Sequence, residues 1–130
     1  MEAMQAQEQD EQIKKAIELV SNESFGVKEW KVLPNWFTQN RFSFLVDNDV
    51  LYHSKIIAPS MDPFSRIILP KSMRLGLIHK AYLHPRFGRQ SVSKTVSQLE
   101  KCVTWPRMMR ETKIYVNSQK QRKQRNGQQT

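Results

Sequence analysis

A single cysteine, Cys102, stands among the 130 residues. One thiol makes no internal disulfide framework and no multi-cysteine zinc site. Glycine is scarce too, at four residues, and Gly88 stands alone instead of forming a phosphate-cradling loop. Long hydrophobic runs are missing. The longest stretch without Asp, Glu, Lys or Arg is Val32–Asn40, partly polar and far short of the ~20 apolar residues of a membrane span. The first twelve residues are acidic and glutamine-rich, which is not the pattern of a signal peptide. Acidic side chains are nearly missing from the second half, where only Glu100 and Glu111 occur after residue 65.

What is present is positive charge, unevenly placed. Residues 1–65 hold six basic and ten acidic side chains, whereas residues 66–130 hold fifteen basic and two acidic. The net charge of +9 therefore belongs to the C-terminal half. A basic half of this kind is either a polyanion-binding face or a solvated surface. The length suits one modest domain, able to bury roughly two-thirds of its unfolded surface.

Patterning gives an α+β class. Gln5–Asn22 reads as one amphipathic helix with Ile13, Ala16, Ile17 and Val20 on its apolar stripe. Trp30 and Trp36 flank Pro34 and read as packing anchors. Arg41–Ser54 reads as a β-hairpin turning at Asp47-Asn48-Asp49, and Arg66–Leu69 as a third strand. A small antiparallel sheet is the economical result.

Three helices are expected after Pro70. The first carries Met73, Leu77, Ile78 and Ala81, and ends near His84, Pro85 and Gly88. Ser91 caps the second, whose stripe is Val92, Val96, Leu99 and Val103. Thr104 is the expected cap of the third, with Pro106 in its first turn and Trp105, Met108, Met109, Thr112 and Val116 on its apolar side. Arg107, Arg110 and Lys113 recur every three residues opposite that stripe. Residues 119–130 lack any apolar side chain and read as a disordered basic tail. The expected organisation is residues 1–25 as helix and linker, 26–70 as sheet extension, 71–118 as a three-helix module and 119–130 as tail. The first two are expected to pack on the third.

The order of the pieces is specific: Arg66-Ile67-Ile68-Leu69-Pro70, a helix, a loop with His84 and Gly88, Lys94-Thr95, Leu99, Trp105-Pro106 with Met109, and Tyr115-Val116-Asn117-Ser118. This resembles the N-terminal zinc-binding region of retroviral and gypsy-type retrotransposon integrases. The resemblance implies a three-helix, helix-turn-helix-like module, and in that family zinc is held by two histidines and a Cys-x-x-Cys pair. Here the ligand positions fall on His84, Arg89, Gln119 and Arg122. Gln is a poor zinc ligand and Arg cannot give up its proton to become one. A degenerate module without zinc or any other cofactor is therefore expected.

Catalysis in that family belongs to a later domain with three carboxylates, and the carboxylates here do not assemble a two-metal site. Asp47, Asp49 and Asp62 suit turns. The expectation is a non-enzyme with no small-molecule substrate and no membrane association. Two binding functions remain. As a host-adopted adaptor the chain would use Ile13, Ile17, Val20, Trp30 and Trp36 to meet a protein partner or a second copy, among DNA- or chromatin-associated proteins in the nucleus. As a nucleic-acid binder it would set Arg107, Arg110, Lys113, Lys120, Arg122, Lys123 and Arg125, joined by Arg86 and Arg89, against the phosphates of DNA or RNA. The chain also reads as the opening part of a longer integrase polyprotein.

Overall fold

The computed structural model describes residues 2–55, 64–84 and 88–128, with side chains over 4–54, 65–83 and 88–121. The protein is α+β. Contacts divide it into two compact units, residues 1–73 with 102–106, and residues 74–101 with 107–130.

The first unit opens with α1 (Glu2–Glu8) and α2 (Glu11–Ser21), two helices where one was expected. Asp10 makes the break. Its Oδ1 accepts from the backbone N–H of Gln12 at 3.2 Å and of Ile13 at 3.3 Å, capping α2. Two short helices follow, α3 (Val27–Trp30) and α4 (Asn35–Asn40), on either side of Pro34. Arg41–Ser43 forms a 3₁₀ turn, so the hairpin starts later than the pattern suggested.

Strands β1 (Phe44–Asp47) and β2 (Val50–Lys55) pair antiparallel, and β2 pairs antiparallel with β3 (Phe64–Ile68). Asn48 and Asp49 both take positive φ, 50° and 64°, the geometry of a two-residue hairpin turn that matches strand twist. A fourth strand, β6 (Val103–Thr104), adds parallel to β3, giving the order β1-β2-β3-β6. The sheet is therefore mixed, not purely antiparallel. It also overturns Thr104 as a helix cap, since its carbonyl accepts from Leu69 N–H at 3.0 Å.

One face of this sheet carries Phe44, Val46, Leu51 and Ile68, and it is covered by Ile13, Ala16 and Leu19 of α2, Trp30 of α3, Phe37 of α4, and Leu33 from the turn between α3 and α4. Ile13 and Trp30 are wholly buried, and Ile17, Val20 and Trp36 pack against the same core. The residues expected to dock a partner are thus the chain's own packing. An amphipathic helix gains most of its stability by burying its stripe this way. Gln7, wholly buried, reaches the sheet as well: its amide bonds Leu51 and the carbonyl of Ile68.

The second unit holds most of α5 (Lys71–Tyr82), a two-stranded ladder of β4 (Leu83–His84) and β5 (Gly88–Arg89), then α6 (Val92–Leu99) and α7 (Met108–Gln128). Ser91 caps α6 as expected, its Oγ accepting from Lys94 N–H at 3.2 Å. Ile78, Tyr82, Val96, Leu99, Met108 and Val116 are buried, with Thr95 and Thr112 among them. Met109, expected on the buried stripe, is 54% exposed. The helix begins at Met108, so Met108, Thr112 and Val116 line up four apart and Met109 turns about 100° away from them. The segment 119–128, expected as a disordered tail, continues α7.

Candidate functional site

The second unit contains an exposed basic surface. Arg110, Lys113 and Lys120 are all exposed, and with Asn117 they recur at steps of three and four along α7, which places them on one helical face. The buried side of α7 carries Met108, Thr112 and Val116. The two faces are separate, their centres about 120° apart round one continuous helix.

Neighbouring helices fix that orientation. His79 Nδ1 of α5 is hydrogen-bonded to Tyr115 Oη of α7. Tyr82 meets the Tyr115 ring edge-on at 5.8 Å. Arg74 pairs with Glu111 at 3.9 Å, an ion pair that partly neutralises the only carboxylate of α7.

Arg107 does not begin the helical ridge. It sits in the turn before α7 with φ at 66°, exposed, and its carbonyl accepts from Glu111 N–H at 2.9 Å. Arg89 is exposed on β5, away from the α7 sequence. Arg122, Lys123 and Arg125 lie on the last turns of α7. Arg86 lies outside the described residues.

Two of the four positions that the integrase resemblance assigns to zinc carry poor ligands. Arg89 brings a guanidinium on an exposed strand and Gln119 is half-buried on α7, so neither supplies a thiolate or imidazole. Among the described residues no three His, Cys, Asp or Glu side chains converge as a metal site.

The first unit contains a cleft that the sequence reading missed. Its volume is about 710 Å³. Phe44 faces His53 across β1 and β2, and His53 faces Arg66 across β2 and β3. Cross-strand partners point to the same side, here the side of Leu51 and Ile68. The helices cover the apolar end of that face, and His53, Arg66 and Thr104 line the cleft at its other end.

Asn40 orients the ring of His53. Its Nδ2 donates to the Trp36 carbonyl at 2.7 Å, which turns Oδ1 towards His53 Nε2 at 2.9 Å. Nε2 must then carry the proton and donate. Trp36, Phe44 and His53 form a wall with ring centroids 5.7 to 6.2 Å apart. Phe42 stands at the rim, 73% exposed yet held: the Arg41 guanidinium lies 4.5 Å over it and Phe25 stacks on it at 5.8 Å. Arg41 is itself fixed by the carbonyls of Phe25 and Thr38, at 2.6 and 2.7 Å.

Strand parity was the available signal. His53 lies two residues after Leu51, and Arg66 two before Ile68. Polar groups at inward positions of a half-buried strand mark a site more sharply than any motif.

No helix among the described residues is long and apolar enough to cross a membrane. No protein-family model matches the chain, and neither does any curated protein or solved structure.

Proposed function

We propose that the chain is a non-catalytic binding module related to the N-terminal region of retroelement integrases, and that the outer face of α7 holds a nucleic-acid backbone. One observation carries this reading: Arg110, Lys113 and Lys120 are exposed together on one face of a 21-residue helix with a single carboxylate in its first turn. Cations spaced along a rigid rod meet successive phosphates without reading base sequence. The order of α5, α6 and α7, with the Lys-Thr and Trp-Pro motifs, supports descent from a three-helix integrase module. In such a module α6 and α7 would be the helix-turn-helix pair, here with residues 100–107 between them. A nuclear location follows from a DNA or chromatin target.

A second reading, the protein adaptor, has one observation in its favour. Ile114 is 60% exposed and Met109 54% exposed on or beside the basic face. Apolar side chains there suit a protein partner or a second copy.

Fluorescence anisotropy with a duplex DNA separates the two. The Arg110/Lys113/Lys120 triple alanine variant is expected to lose binding roughly tenfold or more at low salt while keeping its fold. If that variant binds as well as the parent, and Ile114→Asp instead abolishes association with a partner, the adaptor reading replaces this one.

A further inference from the structure

We propose that the outer side of the seam between α5 and α7 docks an acidic amphipathic helix of a partner protein. The two helices run parallel: Arg74 pairs with Glu111, and further along both helices His79 and Tyr82 meet Tyr115. Stepping about 100° per residue from those contacts puts Leu75 and Ile114 on the same side of the seam. The buried Ile78, Met108 and Thr112 lie on the other side. Leu75 is 68% exposed and Ile114 60%, so the unit's own packing leaves this apolar pair uncovered.

Gly76, exposed beside Leu75, is a second and independent observation. Glycine inside a helix is destabilising relative to alanine. Its φ is not positive, so the backbone does not require it. Among the described residues nothing outside its own helix lies within 4 Å of where its Cβ would be, so packing does not require it either. Close approach of another backbone does.

Charge selects the occupant. α5 carries Lys71, Arg74 and Lys80 and no carboxylate. Arg110 stands one turn before Ile114, and Glu111 is paired with Arg74. Two copies of this surface would set lysine against lysine, which disfavours a second copy of the chain. A helix with apolar residues at i, i+4 and i+7 and glutamates on its flanks matches both the apolar pair and the cations. This gives the adaptor reading a surface and a partner class, and it rests on that reading and not on DNA binding.

The probe is a stapled helical peptide of about sixteen residues, long enough to hold a helix, with leucines on one stripe and glutamates elsewhere. The amide of Gly76 and the methyl groups of Ile114 report binding in correlation spectra of the full chain. A saturable shift is expected, with a dissociation constant of about 100 μM or tighter. The same peptide with lysines for glutamates, or alanines for leucines, should bind at least roughly tenfold more weakly. Leu75→Asp and Ile114→Asp change exposed side chains and should each weaken binding by a similar factor. Gly76→Ala should weaken binding roughly fivefold while raising the melting temperature, a pair of effects that a merely structural glycine would not show. Equal affinity for the glutamate and lysine peptides, unchanged affinity in Gly76→Ala, or no saturable shift would each overturn the proposal. Shifts that gather round Met109 or Lys120 and spare Gly76 would overturn this site while leaving an adaptor surface elsewhere.

Discussion

The side-chain amide of Gln7 bonds both backbone groups of Leu51: Oε1 accepts from the N–H at 2.8 Å, and Nε2 donates to the carbonyl at 3.1 Å. Nε2 also donates to the Ile68 carbonyl at 2.8 Å. The β2–β3 register ends at Tyr52 and Ile67, so the Gln7 amide stands where the next rung of the ladder would be. A side chain from α1 thus completes the sheet and holds that helix to it.

Gln7→Ala is expected to lower stability by about 2–4 kcal/mol, because it strands buried backbone groups that water cannot reach. Gln7→Glu should be no better, since a carboxylate cannot donate to either carbonyl. Urea unfolding gives the values. A loss under about 0.5 kcal/mol would mean that Gln7 is not a structural rung.

Asp10 serves two helices. While Oδ1 caps α2, Oδ2 accepts from the N–H of Lys71 at 3.0 Å, at the start of α5. Asp10→Ala should therefore cost about 2 kcal/mol, more than the ~1 typical of one cap. Asp10→Asn keeps one acceptor oxygen and should recover part of the loss. A loss of only about 1 kcal/mol in Asp10→Ala, the cost of a single cap, would show that the second contact contributes nothing.

The hairpin turn has room for improvement. Asp49 holds φ at 64°, where a side chain is strained and glycine is not. Asp49→Gly creates Asn-Gly, the preferred sequence for this turn. Its urea midpoint should rise, by about 0.5–1 kcal/mol of stability, with the slope unchanged. A fall in midpoint would contradict the turn geometry.

Chelator should leave the melting temperature unchanged. Arg89 and Gln119 occupy positions where the resembled family has metal ligands, so no metal-coupled folding energy is expected. A lowered melting temperature in the presence of chelator would show that the ligand positions were misassigned.

Local signals in the sequence located many elements, and long-range pairing accounts for several of those they missed. The turn residues Asp47-Asn48-Asp49 and the flanking β-branched and aromatic residues marked the β1–β2 hairpin, and Ser91 marked the start of α6. Nothing local marks Val103–Thr104 as a strand. Thr104-Trp105-Pro106 reads as a helix start, and only the β3 edge, more than thirty residues earlier in the sequence, draws it into the sheet. The break after Glu8 has a similar cause: the partners of Gln7 and Asp10 are Leu51 and Lys71, more than forty residues later in the sequence. Residues 119–128 have no apolar side chain, the composition of an unstructured tail, yet they are helical. Gln, Lys and Arg are good helix formers, and propensity carries α7 onward where burial cannot. The basic face was legible in composition, although its first member was not: the spacing of Arg107 matched the ridge, but its positive φ puts it in a turn. The His53–Arg66 row was legible only by counting strand parity.

The most direct test of the basic face is the salt dependence of duplex DNA binding. Three phosphate contacts from Arg110, Lys113 and Lys120 should weaken affinity roughly 40-fold between 50 and 200 mM salt, from a slope of about −0.9 per contact. Removing all three should flatten the slope by about 3. Binding whose salt slope is unchanged in the triple variant, or no binding at low salt, would contradict the assignment of α7 as a nucleic-acid face.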